Sequence, residues 1–363
     1  NLIAHSLMTM PSLRQAVWFS VGQVTMDEFD RAMRVSRETR KLDGIFVENQ
    51  LHRDFSRAFI SILTDLRLDI EIADPKRRKC DGIVLYGNSG SGKSTVIDYV
   101  LDHHPHLQPK RVVRRGVERI TKTDVCAIKA SSPASLKSVG QNILAELGYK
   151  SDEDPLNLNN KEAHYIWNLV RKYLKKSGVL VLFIDEAQDF IINQNRTEIN
   201  KVISTLKSLL QDKEWPVCVV LAGMPELNTL VQRDDQLVNR TKRISCTKLV
   251  AETHRADVLS IVSHYASVVD IGLHPDLRKV SFVRRLLHAS SGDFGKTVQE
   301  IIRGLTVSIE NQSTEVTVAN FAAGFHEKYK LVDAANPYLV PDYLNILVPS
   351  SGANDAVSEE GKR

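Results

Sequence analysis

The sequence predicts an α/β protein: a parallel sheet wrapped by helices, then a helical unit. Three observations carry that prediction. Short apolar runs recur along the chain and alternate with segments of helical spacing. Two of the runs lead directly into glycine-rich or acidic motifs, as strands do where ligands meet the carboxyl ends of a parallel sheet. From about residue 252 to residue 330 the helical spacing continues with no strand signal.

Residues 1–45 form a polar, amphipathic lead-in with helical spacing from Asp27 to Lys41. Leu51–Leu68 reads as a helix, and the charged stretch Asp74–Lys79 breaks the chain before the first strand, Gly82–Tyr86. That strand enters Gly87-Asn88-Ser89-Gly90-Ser91-Gly92-Lys93-Ser94, a complete G-x-x-x-x-G-K-[ST] phosphate loop, and Thr95–Leu101 leave it with helical spacing. Glycines let backbone N–H groups curl around phosphate oxygens, and the helix turns its positive end toward the same anion. Lys93 then reaches the β- and γ-phosphates, and the Ser94 hydroxyl ligates Mg²⁺. A chance Gly/Ser turn would need strand, octet and helix to coincide, so the loop predicts binding of a nucleoside triphosphate.

A second strand is expected at 124–129, then a helix at 134–147 stopped by Gly148 and another at 161–176 stopped by Gly178. Val179–Ile184 is a continuous apolar run, fitting a central strand covered on both faces, and it ends in Asp185-Glu186. Asp185 suits direct or water-mediated coordination of Mg²⁺, and Glu186 suits polarising an attacking water. Asp-Glu-Ala-Gln also permits an acidic helix cap, which is compatible with catalysis. With no Asn-Lys-x-Asp guanine-reading motif in the chain, the expected substrate is ATP. A helix at 198–210, a fourth strand at 216–221 and a fifth at 243–249 complete the sheet, and the tail from Ser350 is expected to be disordered.

Length predicts two domains, or one large domain with a smaller companion: the chain has 363 residues. Apolar content of 42% with 25% charged residues is ordinary for a soluble globular protein. No apolar stretch approaches the ~20 residues needed to span a bilayer, and there is no signal-peptide pattern, so a cytoplasmic protein without a membrane partner is expected. Cys80, Cys126, Cys218 and Cys246 are scattered with no C-x-x-C pair, which favours buried reduced thiols over metal ligands. His103-His104-Pro105-His106 is interrupted by proline and lacks adjacent ligands, so it reads as a polar loop. A net charge of +4 is too mild to establish a nucleic-acid partner. Locally, Lys110, Arg111, Arg114, Arg115, Arg119 and Lys122 crowd one stretch, which is either a phosphate-neutralising surface or a solvated hairpin.

One full strand separates the phosphate-loop strand from the acidic strand, and a helical cap follows the fifth. Together these point to the AAA+ architecture, divided into an extension (1–45), an α/β ATPase core (46–250), a helical lid (251–330) and a tail (331–363). The motif order then becomes specific. The phosphate loop, Ile184-Asp185-Glu186-Ala187-Gln188, Leu221-Ala222-Gly223-Met224-Pro225-Glu226-Leu227, Asp235-Gln236-Leu237-Val238-Asn239-Arg240 and Ser291-Gly292-Asp293-Phe294-Gly295 resemble the TniB/TnsC family over residues 45–310. Members are AAA+ regulators of DNA transposition, those of CRISPR-associated transposons among them.

The resemblance implies an ATPase that assembles as a ring or helical homo-oligomer on double-stranded DNA. It would link a TniQ-like target-selection factor to the transposase, with hydrolysis driving disassembly. Arg240 matches the arginine such assemblies offer to a neighbour's ATP; an ordinary surface arginine beside Lys242 and Arg243 is the alternative. Lys296 is either the lid's cationic sensor or a solvated lysine. The family's polar sensor falls on Met224, which cannot serve, so that role is unassigned. Implied DNA contacts run from Lys129 through Lys137, in competition with the Lys110–Lys122 cluster. The alternatives are a secretion-type AAA+ ATPase acting on protein partners, or an ATPase like replication initiators and helicase loaders. The missing membrane span counts against the first. The 33 residues beyond the lid, too few for a winged-helix domain, count against the second.

Overall fold

Successive residues of a strand point to opposite faces of its sheet, and here both faces are apolar. Val84, Leu182, Ile184, Val219 and Leu221 join one buried cluster, and Ile83, Leu85, Val181, Phe183, Val220 and Ala222 join another. A strand covered on both sides has no polar positions, which is why its sequence reads as a continuous apolar run rather than an alternating one.

The computed structural model describes residues 26–71, 80–104, 107, 111–114, 117–120, 124–130, 134–149, 158–192 and 194–349. In chain order these hold α1 (Met26–Asp43), α2 (Gln50–Glu71), β1 (Gly82–Tyr86), α3 (Lys93–His103), a hairpin of β2 (Arg111–Arg114) and β3 (Val117–Ile120), and β4 (Val125–Lys129). Then come α4 (Leu136–Glu146), α5 (Ala163–Ser177), β5 (Val181–Asp185), α6 (Arg196–Leu210), β6 (Cys218–Gly223), α7 (Glu226–Gln232), α8 (Asp235–Val238) and β7 (Thr241–Ser245). The last part comprises α9 (Ala251–Val268), β8 (Gly272–Leu273), α10 (Val280–Ala289), α11 (Phe294–Glu310), β9 (Glu315–Val316) and α12 (Val318–Tyr329). The tail from Ser350 and the charged stretch Asp74–Lys79 lie outside the described residues.

The five-stranded sheet has the order β4-β5-β6-β1-β7, with every pairing parallel. Helices α4, α5 and α6 cover one face through Val139, Ile143, Ile166, Val170, Val202 and Leu206. On the other face, α2 and α3 pack Phe55, Phe59, Leu63, Val96, Ile97 and Val100 against the strands. Local signals set several helix ends. Ser135 accepts from the Ser138 N–H at the start of α4, Asn195 accepts from the Glu198 N–H at the start of α6, and Gly178 turns α5 off at φ 73°.

Two features differ from the sequence reading. The fifth strand lies earlier than 243–249, because Thr241–Ser245 pair with Gly82–Tyr86 in register. It is an edge strand, so Lys242 and Arg243 are tolerated in it and weaken its apolar signal. Within the otherwise helical lid, β8 and β9 pair in parallel over two residues each, too short to carry a periodicity. The lid has its own core of Val258, Tyr265, Leu286, Leu305, Phe321 and Phe325 among others. Residues 331–349 lie along it: Arg285 donates to the Val340 carbonyl at 2.6 Å and Asn336 to the Ala322 carbonyl at 2.8 Å. Cys80, Cys126 and Cys218 are buried, and burial pushes the Cys126 thiol up to about 12. Among the described residues no helix is long and apolar enough to cross a membrane.

Helices α11 and α12 approach closely because Gly304 has no side chain: a Cβ there would meet the Phe321 ring at 2.9 Å. Gly304→Val should therefore overpack the lid and destabilise it by about 1–3 kcal/mol. Denaturant unfolding followed by lid hydrogen exchange would measure the loss, and wild-type protection in α11 and α12 would refute this packing.

Candidate functional site

Strands β5 and β1 flank β6, so the acidic motif and the phosphate loop emerge side by side at the carboxyl edge of the sheet. The Gly87 N–H donates to the Gly223 carbonyl at 3.1 Å, tying the loop to the end of β6. The loop bends through positive φ at Gly90 (76°) and Gly92 (94°), where a side chain would be strained. Lys93 is only 9% exposed. Its ammonium donates to the carbonyls of Gly87 at 2.7 Å and Asn88 at 2.9 Å and to Ser91 Oγ at 3.4 Å. Burial lowers its pKa, opposed by the Cys246, Glu186, Asp185 and Asp293 side chains around it.

Ser94 Oγ donates to Asp185 Oδ2 at 2.9 Å, and Asp185 Oδ1 accepts the Glu186 N–H at 2.9 Å. A hydroxyl beside a carboxylate is a hard oxygen pair, the donor chemistry that suits Mg²⁺ shared with substrate phosphates. No group of three or more His, Cys, Asp or Glu residues able to hold a metal occurs among the described residues. Glu186 has φ 53°, and Gln188 Nε2 donates to its Oε2 at 2.6 Å. Lys129, at the end of β4, stands 3.8 Å from Glu186 Oε1. Asp189 is raised above the ordinary carboxylate range by burial and by its neighbour Glu186.

The lid touches the loop directly. The Lys296 N–H donates to the Gly90 carbonyl at 2.9 Å, and a Cβ on Gly295 would stand 2.5 Å from that oxygen. The Lys296 ammonium pairs with Asp293 Oδ2 at 3.0 Å, so its charge is engaged within the lid. Two adjoining cavities, about 270 and 520 Å³, flank the loop and share Val47, Asn49 and Phe294. The smaller reaches Gly92, Thr95 and Val96 and is walled by Phe46, Val298 and Ile302, and the larger reaches Ser91, Cys246 and Arg53.

Not every expected site residue joins this cluster. Arg240 immediately precedes β7, and its carbonyl accepts the Gly82 N–H at the amino end of β1. Five residues of strand separate that edge from the phosphate loop, roughly 16 Å at about 3.3 Å per residue. Arg240 is therefore out of reach of its own chain's loop. Lys137 donates to the Asn159 carbonyl at 2.7 Å. Arg114 and Arg119 lie on the β2–β3 hairpin, whereas Arg115 and Lys122 fall outside the described residues.

Three contributors escaped the sequence reading: Gln188, Gly295 and the segment 45–53. Gln188 and Gly295 stand inside quoted motifs, but a motif does not say which neighbour a side chain meets. The segment 45–53 carries no motif. Its ring contacts, such as Phe46 stacked on Tyr99, exist only once α2 and α3 are packed.

Residues 76–231 match a family model described as an AAA domain. No curated protein matches the chain. Among solved structures, it is similar to the ORC1 protein of Aeropyrum pernix in complex with DNA, at 13% identity over 80% of this chain and 69% of that one, with a TM-score of 0.54. The ORC2 protein of the same organism, in ADPNP-ADP complexes, is similar at 12% identity over 80% and 71%, with a TM-score of 0.51. Drosophila ORC bound to DNA is similar at 13% identity over 92% and 72%, also at 0.51. At such identities the likeness is one of fold. The chain has the AAA+ P-loop ATPase fold: a parallel five-stranded sheet flanked by helices, followed by a helical C-terminal region.

Proposed function

We propose that this chain is an ATP-hydrolysing assembly factor that oligomerises on duplex DNA and regulates transposition, linking a TniQ-like target-selection factor to a transposase. The single observation that carries the ATPase reading is the convergence of Lys93, Ser94, Asp185 and Glu186 at one edge of the sheet. In the reaction, backbone N–H groups of Gly90–Thr95 and the Lys93 ammonium receive the phosphate oxygens, and Lys93 exchanges loop carbonyls for them. Ser94 Oγ and the Asp185 carboxylate would hold Mg²⁺, which when bound neutralises phosphate charge. Glu186 orients the attacking water and accepts its proton. Asn49, Phe46, Val298 and Ile302 offer a mixed polar and apolar enclosure suited to a base and ribose. The order of motifs from the phosphate loop to Ser291-Gly292-Asp293-Phe294-Gly295 supports the transposition reading.

The distance of Arg240 from its own loop favours a role across a protomer boundary, where its charge would stabilise the transferring phosphoryl group of a neighbour. Lys93→Ala should abolish nucleotide binding, and Arg240→Ala should keep binding while losing most turnover. Mixing the two should restore part of the activity, since each supplies the half the other lacks. No recovery in demonstrated co-assemblies would rule out the finger.

DNA contact through the phosphate backbone should require ATP, since one protomer offers few cations, and should be indifferent to base sequence. Affinity should fall with salt at a log–log slope of roughly −0.9 per phosphate neutralised. Lys129→Ala with Lys137→Ala should flatten that slope, and Arg114→Ala with Arg115→Ala should do so only if the hairpin lines the DNA channel. Filter retention of ATP-loaded protein at low salt is the check. Failure to retain duplex DNA would leave an AAA+ switch directed at protein partners.

A further inference from the structure

Gln188 lies in the short 3-10 turn that follows Glu186, and its side chain is buried. Its amide bridges two parts of the site. The oxygen accepts the Met224 backbone N–H at 3.0 Å, and the NH₂ group donates to Glu186 Oε2 at 2.6 Å. The orientation of the amide is dictated by chemistry, because a backbone N–H can be met only by oxygen, which leaves the NH₂ facing the carboxylate. Gly223 makes the bridge possible: a Cβ there would collide with Gln188 Oε1. Glu186 also meets Lys129, but at 3.8 Å and through a side chain that is 71% exposed. Gln188 is thus the buried, short contact that fixes where the carboxylate points.

We propose that Gln188 is the positioning residue for Glu186, holding its carboxylate at the angle needed to take a proton from water. It also ties that angle to the end of β6, where Met224 supplies a backbone N–H and no polar side chain. The proposal rests on the reading of Glu186 as the water-activating carboxylate. It gives a role to the glutamine of the Asp-Glu-Ala-Gln motif and a reason for glycine at 223.

Steady-state ATP hydrolysis of the full chain with Mg²⁺, with and without duplex DNA, tests it, with thermal melts as the folding control. Gln188→Glu keeps the volume and the acceptor for Met224 but turns a carboxylate onto a carboxylate. Gln188→Met keeps the volume and loses both bonds. Both should lower kcat roughly 10- to 100-fold, the scale of a misplaced catalytic group, with KM for ATP changed by less than about threefold. In a Glu186→Gln background, adding Gln188→Met should lower the residual rate no further, because the group being positioned is gone. Wild-type kcat in both variants would overturn the proposal. So would wild-type kcat in Gln188→Glu alongside losses of kcat and Tm in Gln188→Met, the pattern of a purely structural residue. If Gln188→Met fails to fold, Gln188→Glu decides. Hydrolysis lost in Glu186→Gln but kept in both Gln188 variants would spare the ATPase reading and remove this one. A wild-type protein that hydrolyses no ATP under any of these conditions would remove both.

Discussion

Taking an ammonium group out of water is unfavourable by several kcal/mol, on the order of what a buried ion costs, unless oxygen atoms replace its hydration. The phosphate loop is organised around meeting that demand for Lys93. Two loop carbonyls and the Ser91 hydroxyl surround the charge, and they can converge only because Gly90 and Gly92 adopt positive φ. The Gly87 N–H is tied to the Gly223 carbonyl and the Ser91 N–H to the Asn88 carbonyl, so the same curvature is pinned by the loop's own backbone and forms the kind of concavity that binds anions. In the proposed reaction Lys93 exchanges these loop oxygens for phosphate oxygens, so its charge is met by oxygen acceptors both before and after the phosphates arrive.

The surrounding fold keeps that loop in register with its chemical partners. Parallel pairing of β1, β6 and β5 fixes the relative height of Gly87, Gly223 and Asp185, so Ser94 and Asp185 meet across the width of β6. The lid adds a third constraint through the Lys296 N–H on Gly90. Absence of a side chain at Gly295 permits that approach, and any rotation of the lid must be felt at the loop. The lid is in turn held by its own core and by α1, where Arg31 donates to the Glu310 carbonyl.

Much of this was legible in the sequence because the signals are local. The loop octet, the apolar run ending in Asp185-Glu186 and the helix stops at Gly148 and Gly178 depend on a few neighbouring residues. Contacts that depend on packing were not legible. Gln188 meets Met224 thirty-six residues away, and Lys296 pairs with Asp293 rather than standing in solvent. The edge strand β7 was misplaced by a few residues because exposure on one side lets lysine and arginine interrupt its apolar pattern. The proposed role of Arg240 across a protomer boundary leaves a different trace. Arg240 has a motif but no partner within its own chain's loop, and only its position at the far edge of the sheet hints at what it faces.

The central claim is that the nucleotide site is shared between protomers assembled on DNA. Electron microscopy of the full chain with a slowly hydrolysed ATP analogue, with and without duplex DNA, tests it most directly. The account predicts rings or helical filaments that form with nucleotide and enclose the duplex, with Arg240 of each protomer at the phosphate loop of the next. Monomers that persist with both ligands present, or assemblies in which Arg240 faces away from every phosphate loop, would contradict it.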